Sequence, residues 1–118
     1  MMPSLVRVRR NAAGFLEGRA KPGTGRHGVI LASFLQSDVQ GDHETARMLL
    51  AETAAAERGE NPQPGGVGNA FSITVTPDSA VIGNAVLEGA VPERYGLAEL
   101  RAALEAWITA IESVQRLR

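Results

Sequence analysis

Between Ala70 and Thr76 the chain alternates strictly. Phe71, Ile73 and Val75 fall on one side of an extended backbone, and Ser72, Thr74 and Thr76 on the other. Pro77, Asp78 and Ser79 then supply turn chemistry, and Ala80-Val81-Ile82-Gly83-Asn84 reads as the returning strand of a hairpin. From Leu97 onward the period changes. Leu97, Leu100, Leu104, Trp107, Ile108, Ile111 and Val114 follow one another at intervals of three, four, three, one, three and three, a continuous apolar stripe along a helix. Glu99 in its first turn and Arg116 and Arg118 near its end suit the helix dipole. Trp107, the only tryptophan, has apolar neighbours at helical spacing and is read as a core anchor. One apolar sheet face and one apolar helix stripe together predict the core.

The remaining elements are read by the same two periods. Leu5, Val6 and Val8 interleave with Arg7 and Arg9, Asn11-Ala12-Ala13-Gly14 has turn chemistry, and Phe15 to Ala20 returns, so the chain opens on a second hairpin. Lys21-Pro22-Gly23-Thr24-Gly25 is a loop. A phosphate-binding loop needs its lysine after the glycines, and here it precedes them. Gly28 to Leu35 is an unbroken apolar run that suits a strand covered on both faces or a buried helical turn; we read it as a strand. Asp42 is a good N-cap for an amphipathic helix from His43 to Arg58, with Ala46, Leu49, Leu50 and Ala54 on one side and Gly59 as its stop. Glu60 to Gly68, rich in proline and glycine, is a linker, and Ala85 to Pro92 a loop or irregular edge. The fold class expected is α+β: an antiparallel or mixed sheet of about four to five strands with two helices packed on one face, in a single domain over residues 1–118. An open sheet edge near the first hairpin would pair with a partner or with a second copy as a homodimer.

Composition narrows the chemistry. With 118 residues, 44% hydrophobic and 21% charged, the chain has ordinary globular make-up and length enough for one core. It has no cysteine, which excludes disulfides and thiolate metal sites and favours a reducing compartment. The first residues contain no apolar leader region and no run approaches a membrane span, so a soluble cytoplasmic protein is expected. The net charge of −1 hides an asymmetry. Residues 1–26 carry six basic side chains against Glu17 alone, whereas residues 27–118 carry six basic against twelve acidic. His27 and His43 are too few and too separated to suggest a metal site, and Ser37, Asp38 and His43 lack the setting of a nucleophile elbow. No catalytic residue, metal or cofactor is assigned. Nucleic acid is a weaker partner choice, because of the aromatic residues only Phe15 lies near the N-terminal arginines and the rest of the chain is acidic.

The string Gly68-Asn69-Ala70-Phe71-Ser72-Ile73-Thr74-Val75, then Val81-Ile82-Gly83-Asn84, then Tyr95-Gly96-Leu97, Glu99-Leu100, Ala103-Leu104, Trp107 and Ile111, resembles small bacterial immunity proteins of toxin–immunity systems, including those of contact-dependent growth inhibition. It is also similar to the small YacL-like proteins. The resemblance covers roughly residues 68–112 and implies a protein that binds a cognate toxin domain inside the producing cell and blocks it. It carries over no binding residue. The acidic excess after residue 26 would complement a basic nuclease toxin, and it places the expected contact face at Asp38, Asp42, Glu44, Glu52 and Glu57. The alternative is a small cytoplasmic binding or regulatory module, and after it a nucleic-acid binder acting through the basic hairpin.

Overall fold

The structure, a computed structural model, describes residues 4–61, 70–84 and 91–116. Segments 62–69 and 85–90, which hold most of the expected linker and loop, lie outside the described residues, as does the side chain of Val114. The elements in chain order are β1 (Val6–Arg10), β2 (Leu16–Ala20), α1 (Gly25–Phe34), a π-helical turn (Leu35–Val39), α2 (His43–Glu57), β3 (Phe71–Val75), β4 (Ala80–Asn84), β5 (Glu93–Tyr95) and α3 (Leu97–Arg116). The class is α+β. The five strands form two antiparallel sheets, β1-β2 and β3-β4-β5.

Both hairpins lie where the alternation puts them. In the first, Asn11 makes the turn: its Oδ1 accepts from the N–H of Ala13 at 2.9 Å and of Phe15 at 3.0 Å. Gly14, at φ +89°, donates its N–H to the Asn11 carbonyl at 3.0 Å and closes the turn, and this sets the register Arg10↔Leu16. In the second, Ile73 pairs with Ile82 and Val75 with Ala80, all four buried. Three-residue β5 is too short for a periodic signal and adds to β4 through Ala80↔Tyr95.

The run from Gly28 to Leu35 is a correction. It is helical, not a strand, and it forms most of α1 and the start of the π turn. Eight apolar or small residues in succession hide the period, which is visible only in what they leave outside: Arg26, Val29, Ser33 and Gln36 are exposed at intervals of three, four and three. The chain therefore has three helices among its described residues. Gly28, Leu31, Ala32, Phe34 and Leu35 are buried, and α1 packs against both sheets.

α2 begins as expected. Asp42 Oδ1 accepts from the N–H groups of Glu44 at 3.1 Å and Thr45 at 3.2 Å, a cap of the first turn. It ends at Gly59, at φ +84°, where the Glu60 N–H donates to the Ala55 carbonyl at 3.0 Å and the Gly59 N–H to that of Ala56 at 2.9 Å. In α3 the Glu99 carboxylate reaches back to the Gly96 N–H at 2.8 Å, satisfying a free donor at the helix start. Arg47 at the start of α2 donates to Glu112 near the end of α3 at 2.7 Å, and Arg101 near the start of α3 meets Glu57 at the end of α2 at 3.1 Å. These two links make the pair antiparallel. Leu100, Ala103, Leu104, Trp107, Ile108 and Ile111 fill one apolar cluster with α1, α2 and the inner faces of the strands.

Close approach of α1 to β2 depends on a missing side chain. A Cβ at Gly28 would lie 2.7 Å from Thr24 Cβ and 3.0 Å from Ala20 Cβ, neither of which can swing away. Gly28→Ala should therefore destabilise the fold by about 1–3 kcal/mol, since overpacking forces the backbone to move. Gly41→Ala, where a Cβ meets nothing within 4 Å, should change stability by less than about 0.5 kcal/mol. Urea unfolding of the two variants checks the contrast.

Candidate functional site

At the tip of the first hairpin, Asn11, Phe15, Leu16, Gln36, Gln40 and Gly41 line a groove of about 430 Å³ between β2 and the π turn. Its geometry follows from local hydrogen bonding. The N–H of Asn11 donates to the Phe15 carbonyl at 2.9 Å, and that of Lys21 to the Leu5 carbonyl at 3.0 Å. Bonded pairs alternate in an antiparallel ladder, so Leu16, Gly18 and Ala20 turn their backbone groups away from β1. Gly18 confirms the phase, because its N–H donates to Gln36 Oε1 at 3.1 Å. On the far edge, Ser4 Oγ accepts from the Val6 N–H and donates to the Val6 carbonyl, at 3.1 and 2.9 Å. Side chains thus occupy part of each edge of this hairpin, near which the sequence suggested an open edge for pairing.

The π turn holds the opposite wall. The N–H of Gln40 donates to the Leu35 carbonyl at 2.8 Å, closing the wide turn, and Gln40 has φ +53° and ψ −143°. A non-glycine residue there stores about 1–3 kcal/mol of strain. The strained residue is held by Trp107, whose Nε1–H donates to the Gln40 carbonyl at 2.6 Å from a fully buried ring. Strain and a π turn at one wall of a groove are features that cluster at binding sites. Sequence reading missed Gln40, since nothing in Gln-Gly-Asp marks a positive φ on the glutamine.

Phe15 is 70% exposed. It shares the outer sheet face with Arg7, Arg9, Glu17 and Arg19, as the pairings Arg7↔Arg19 and Arg9↔Glu17 require. Glu17 Oε2 lies 3.6 Å from Arg9 Nε and 3.7 Å from Arg19 Nη2 and makes no hydrogen bond. The bridges are long and half exposed, so they contribute little.

Of the five acidic residues expected to form a contact face, three are bonded within the fold and two are not. Asp38, in the π turn, accepts from the N–H groups of Ala70 and Phe71, both at 3.1 Å, and so anchors the start of β3. Asp42 caps α2, and the Thr45 hydroxyl, its N–H and that of Glu44 hold the Asp42 carboxyl below its ordinary value. Glu57 bonds Arg101. Glu44 and Glu52 form no hydrogen bond or ion pair among the described residues; with Met48, 53% exposed, they make a ridge of residues four apart on α2. Glu52 lies nearer the packed side, and burial raises its carboxyl pKa.

Both histidines sit between helices. His27 Nδ1 is 2.9 Å from Glu93 and its Nε2 3.3 Å from Glu99, so the ring joins α1 to β5 and α3. Tyr95 stacks on it with centroids 4.2 Å apart and donates its hydroxyl to the His27 carbonyl at 2.6 Å. Burial, reinforced by the Glu93 carboxylate, raises the Tyr95 hydroxyl well above its ordinary value and keeps it a donor. Carboxylates face both ring nitrogens, which leaves neither free for a substrate or metal. His43 lies 2.9 Å from Glu112. Among the described residues no three His, Asp or Glu side chains are placed to hold a metal ion, and no helix is long and apolar enough to cross a membrane.

Comparison of the chain with protein-family models, with characterised proteins and with solved structures finds no match.

The two kinds of acid should separate on substitution. Asp38→Ala removes two charge-assisted bonds to backbone and should cost about 2–3 kcal/mol, whereas Glu44→Ala should stay within about 0.5 kcal/mol in the same unfolding assay. Glu112 tests the helix pair by pH. Bonds from His43 and then Arg47 lower its pKa from the ordinary 4.5. A lowered folded-state pKa adds stability that is complete above the unfolded value and is lost as pH falls through the folded one. Glu112→Gln should accordingly flatten the loss of stability below pH 4.5, as read by thermal melts across the acid range.

Proposed function

We propose that the protein acts by binding a partner protein, as the neutraliser of a cognate toxin domain in the cytoplasm of the bacterium that makes it. The observation that carries this reading is the ridge Glu44, Met48 and Glu52 on α2, an exposed apolar side chain between two carboxylates that the fold does not use. Methionine adapts its shape to an opposing surface, and unpaired carboxylates speed encounter with a basic one such as the nucleic-acid-binding face of a nuclease. The resemblance of residues 68–112 to toxin-immunity proteins supports the same role. Asp38, Asp42 and Glu57 drop out of the contact face because each has a structural bond to keep. The reading assigns no catalytic residue and no cofactor.

A second reading keeps the ridge and changes the partner: a small regulatory module that binds a basic protein other than a toxin. Co-expression separates the two. Production of a toxin domain encoded beside this gene should arrest growth, and the wild-type protein should restore it. Rescue by the Glu44→Lys/Glu52→Lys variant should fail, with binding weakened about tenfold or more while the melting curve is unchanged. Unaltered affinity of the double variant discards the ridge; failure of the wild-type protein to rescue discards the toxin in favour of the regulatory module.

A further inference from the structure

The hairpin tip offers a second surface, separate from the ridge on α2. We propose that the groove beside β2 takes an extended, acidic segment of another protein, seated by one rung of strand pairing at Leu16. The backbone supplies the first reason. Leu16 turns its N–H and carbonyl outward into the groove, and the next outward position, Gly18, is already filled by Gln36, so added pairing is confined to a short stretch. A donor and an acceptor side by side match a peptide backbone. Phosphodiesters offer acceptors alone and leave the Leu16 carbonyl unmet.

Side chains supply the second. Phe15, 70% exposed, gives one wall an apolar surface for an alternate side chain of the incoming segment. Arg10 lies directly across the hairpin from Leu16, and among the described residues its guanidinium meets only the Gly14 carbonyl and no carboxylate. The rest of that guanidinium is open to an incoming Asp or Glu. Arg7, Arg9 and Arg19, with Glu17 as their one acidic neighbour, lie on the opposite face of the same hairpin, so both of its faces are basic. A second copy of this hairpin would bring those arginines against their own kind, which disfavours pairing between copies.

The groove itself is built rather than incidental. Gln40 is kept in its strained conformation by the indole of Trp107 on one side and its own N–H on the other, which fixes that wall before any ligand arrives. A preformed wall reduces the ordering that binding requires.

The experiment is selection from a randomised library of peptides roughly eight residues long, enough for one strand, displayed against the full-length protein. Selected peptides should be enriched in Asp and Glu alternating with apolar residues, and the best of them, as a labelled synthetic peptide, should lose about tenfold or more in affinity to Arg10→Glu. Phe15→Ala, at an exposed position that leaves the fold alone, should weaken it as well. Glu44→Lys/Glu52→Lys should bind it unchanged, so failure of this surface and failure of the ridge on α2 are told apart. No enrichment, enrichment in Lys and Arg, equal affinity for the Arg10 and Phe15 variants, or tighter binding of a single-stranded oligonucleotide than of the selected peptide would each overturn the proposal.

Discussion

The seat of Trp107 is the constraint on which the other elements depend. Its ring is completely buried, and a buried indole N–H needs an acceptor. The acceptor is the carbonyl of Gln40, at 2.6 Å, and that carbonyl points the right way only because Gln40 takes a positive φ after a π turn. The face of the ring needs room on the other side, which Gly18 of β2 provides: a Cβ there would be 3.2 Å from the indole and 3.1 Å from the Ala32 carbonyl. One side chain of α3 thus fixes the exit of α1 and the distance of the first hairpin. The strain at Gln40 is tolerated because the alternative is an unsatisfied N–H in the interior, which costs a comparable amount.

From that seat the three-stranded sheet is tied to the helices by polar links at the edges of the core. Asp38, set by the π turn, holds the first two N–H groups of the β3 region, and His27 of α1 holds Glu93 of β5 and Glu99 of α3. Each link joins residues more than thirty positions apart, so each fixes an angle between elements that apolar contact alone would leave free to slide. The groove at the hairpin tip is set by this arrangement. Its floor is the strand edge that Gly18 brings close, and its wall is the turn that Trp107 demands.

How much of this the sequence displays depends on whether the cause is local. Both hairpins and the two long helices are legible, because alternation, Asp42 as a cap, Gly59 as a stop and the stripe from Leu97 are all short-range facts. α1 is not legible, because a helix packed against two sheets needs apolar residues on most of its surface and so loses the contrast that reveals a period. β5 owes its strand state to pairing with β4, and Gln40 its φ to Trp107, sixty-seven positions away. At the hairpin, the exposed Phe15 was visible as an aromatic near arginines, but the groove beside it depends on Gln36 and Gln40, placed by the π turn.

Charge counts are the clearest case of a sequence signal that the fold rewrites. Residues 27–118 hold twice as many acids as bases, which suggests a broadly acidic body. Among the described residues seven of those twelve acids are engaged: Asp38 with backbone, Asp42 with its own helix, Glu57 with Arg101, Glu60 with Arg58, Glu93 and Glu99 with His27, Glu112 with His43 and Arg47. A carboxylate paired with arginine has its field largely offset by the neighbouring cation, and every engaged one has its position fixed by something other than a partner. What remains for recognition on α2 is the pair Glu44 and Glu52 around Met48, a small and definite feature in place of a diffuse excess. On the hairpin the reverse holds, since Glu17 is shared by two arginines and leaves Arg7 and Arg10 without a carboxylate among the described residues. Two surfaces of opposite sign follow, neither of them visible in a net charge of −1.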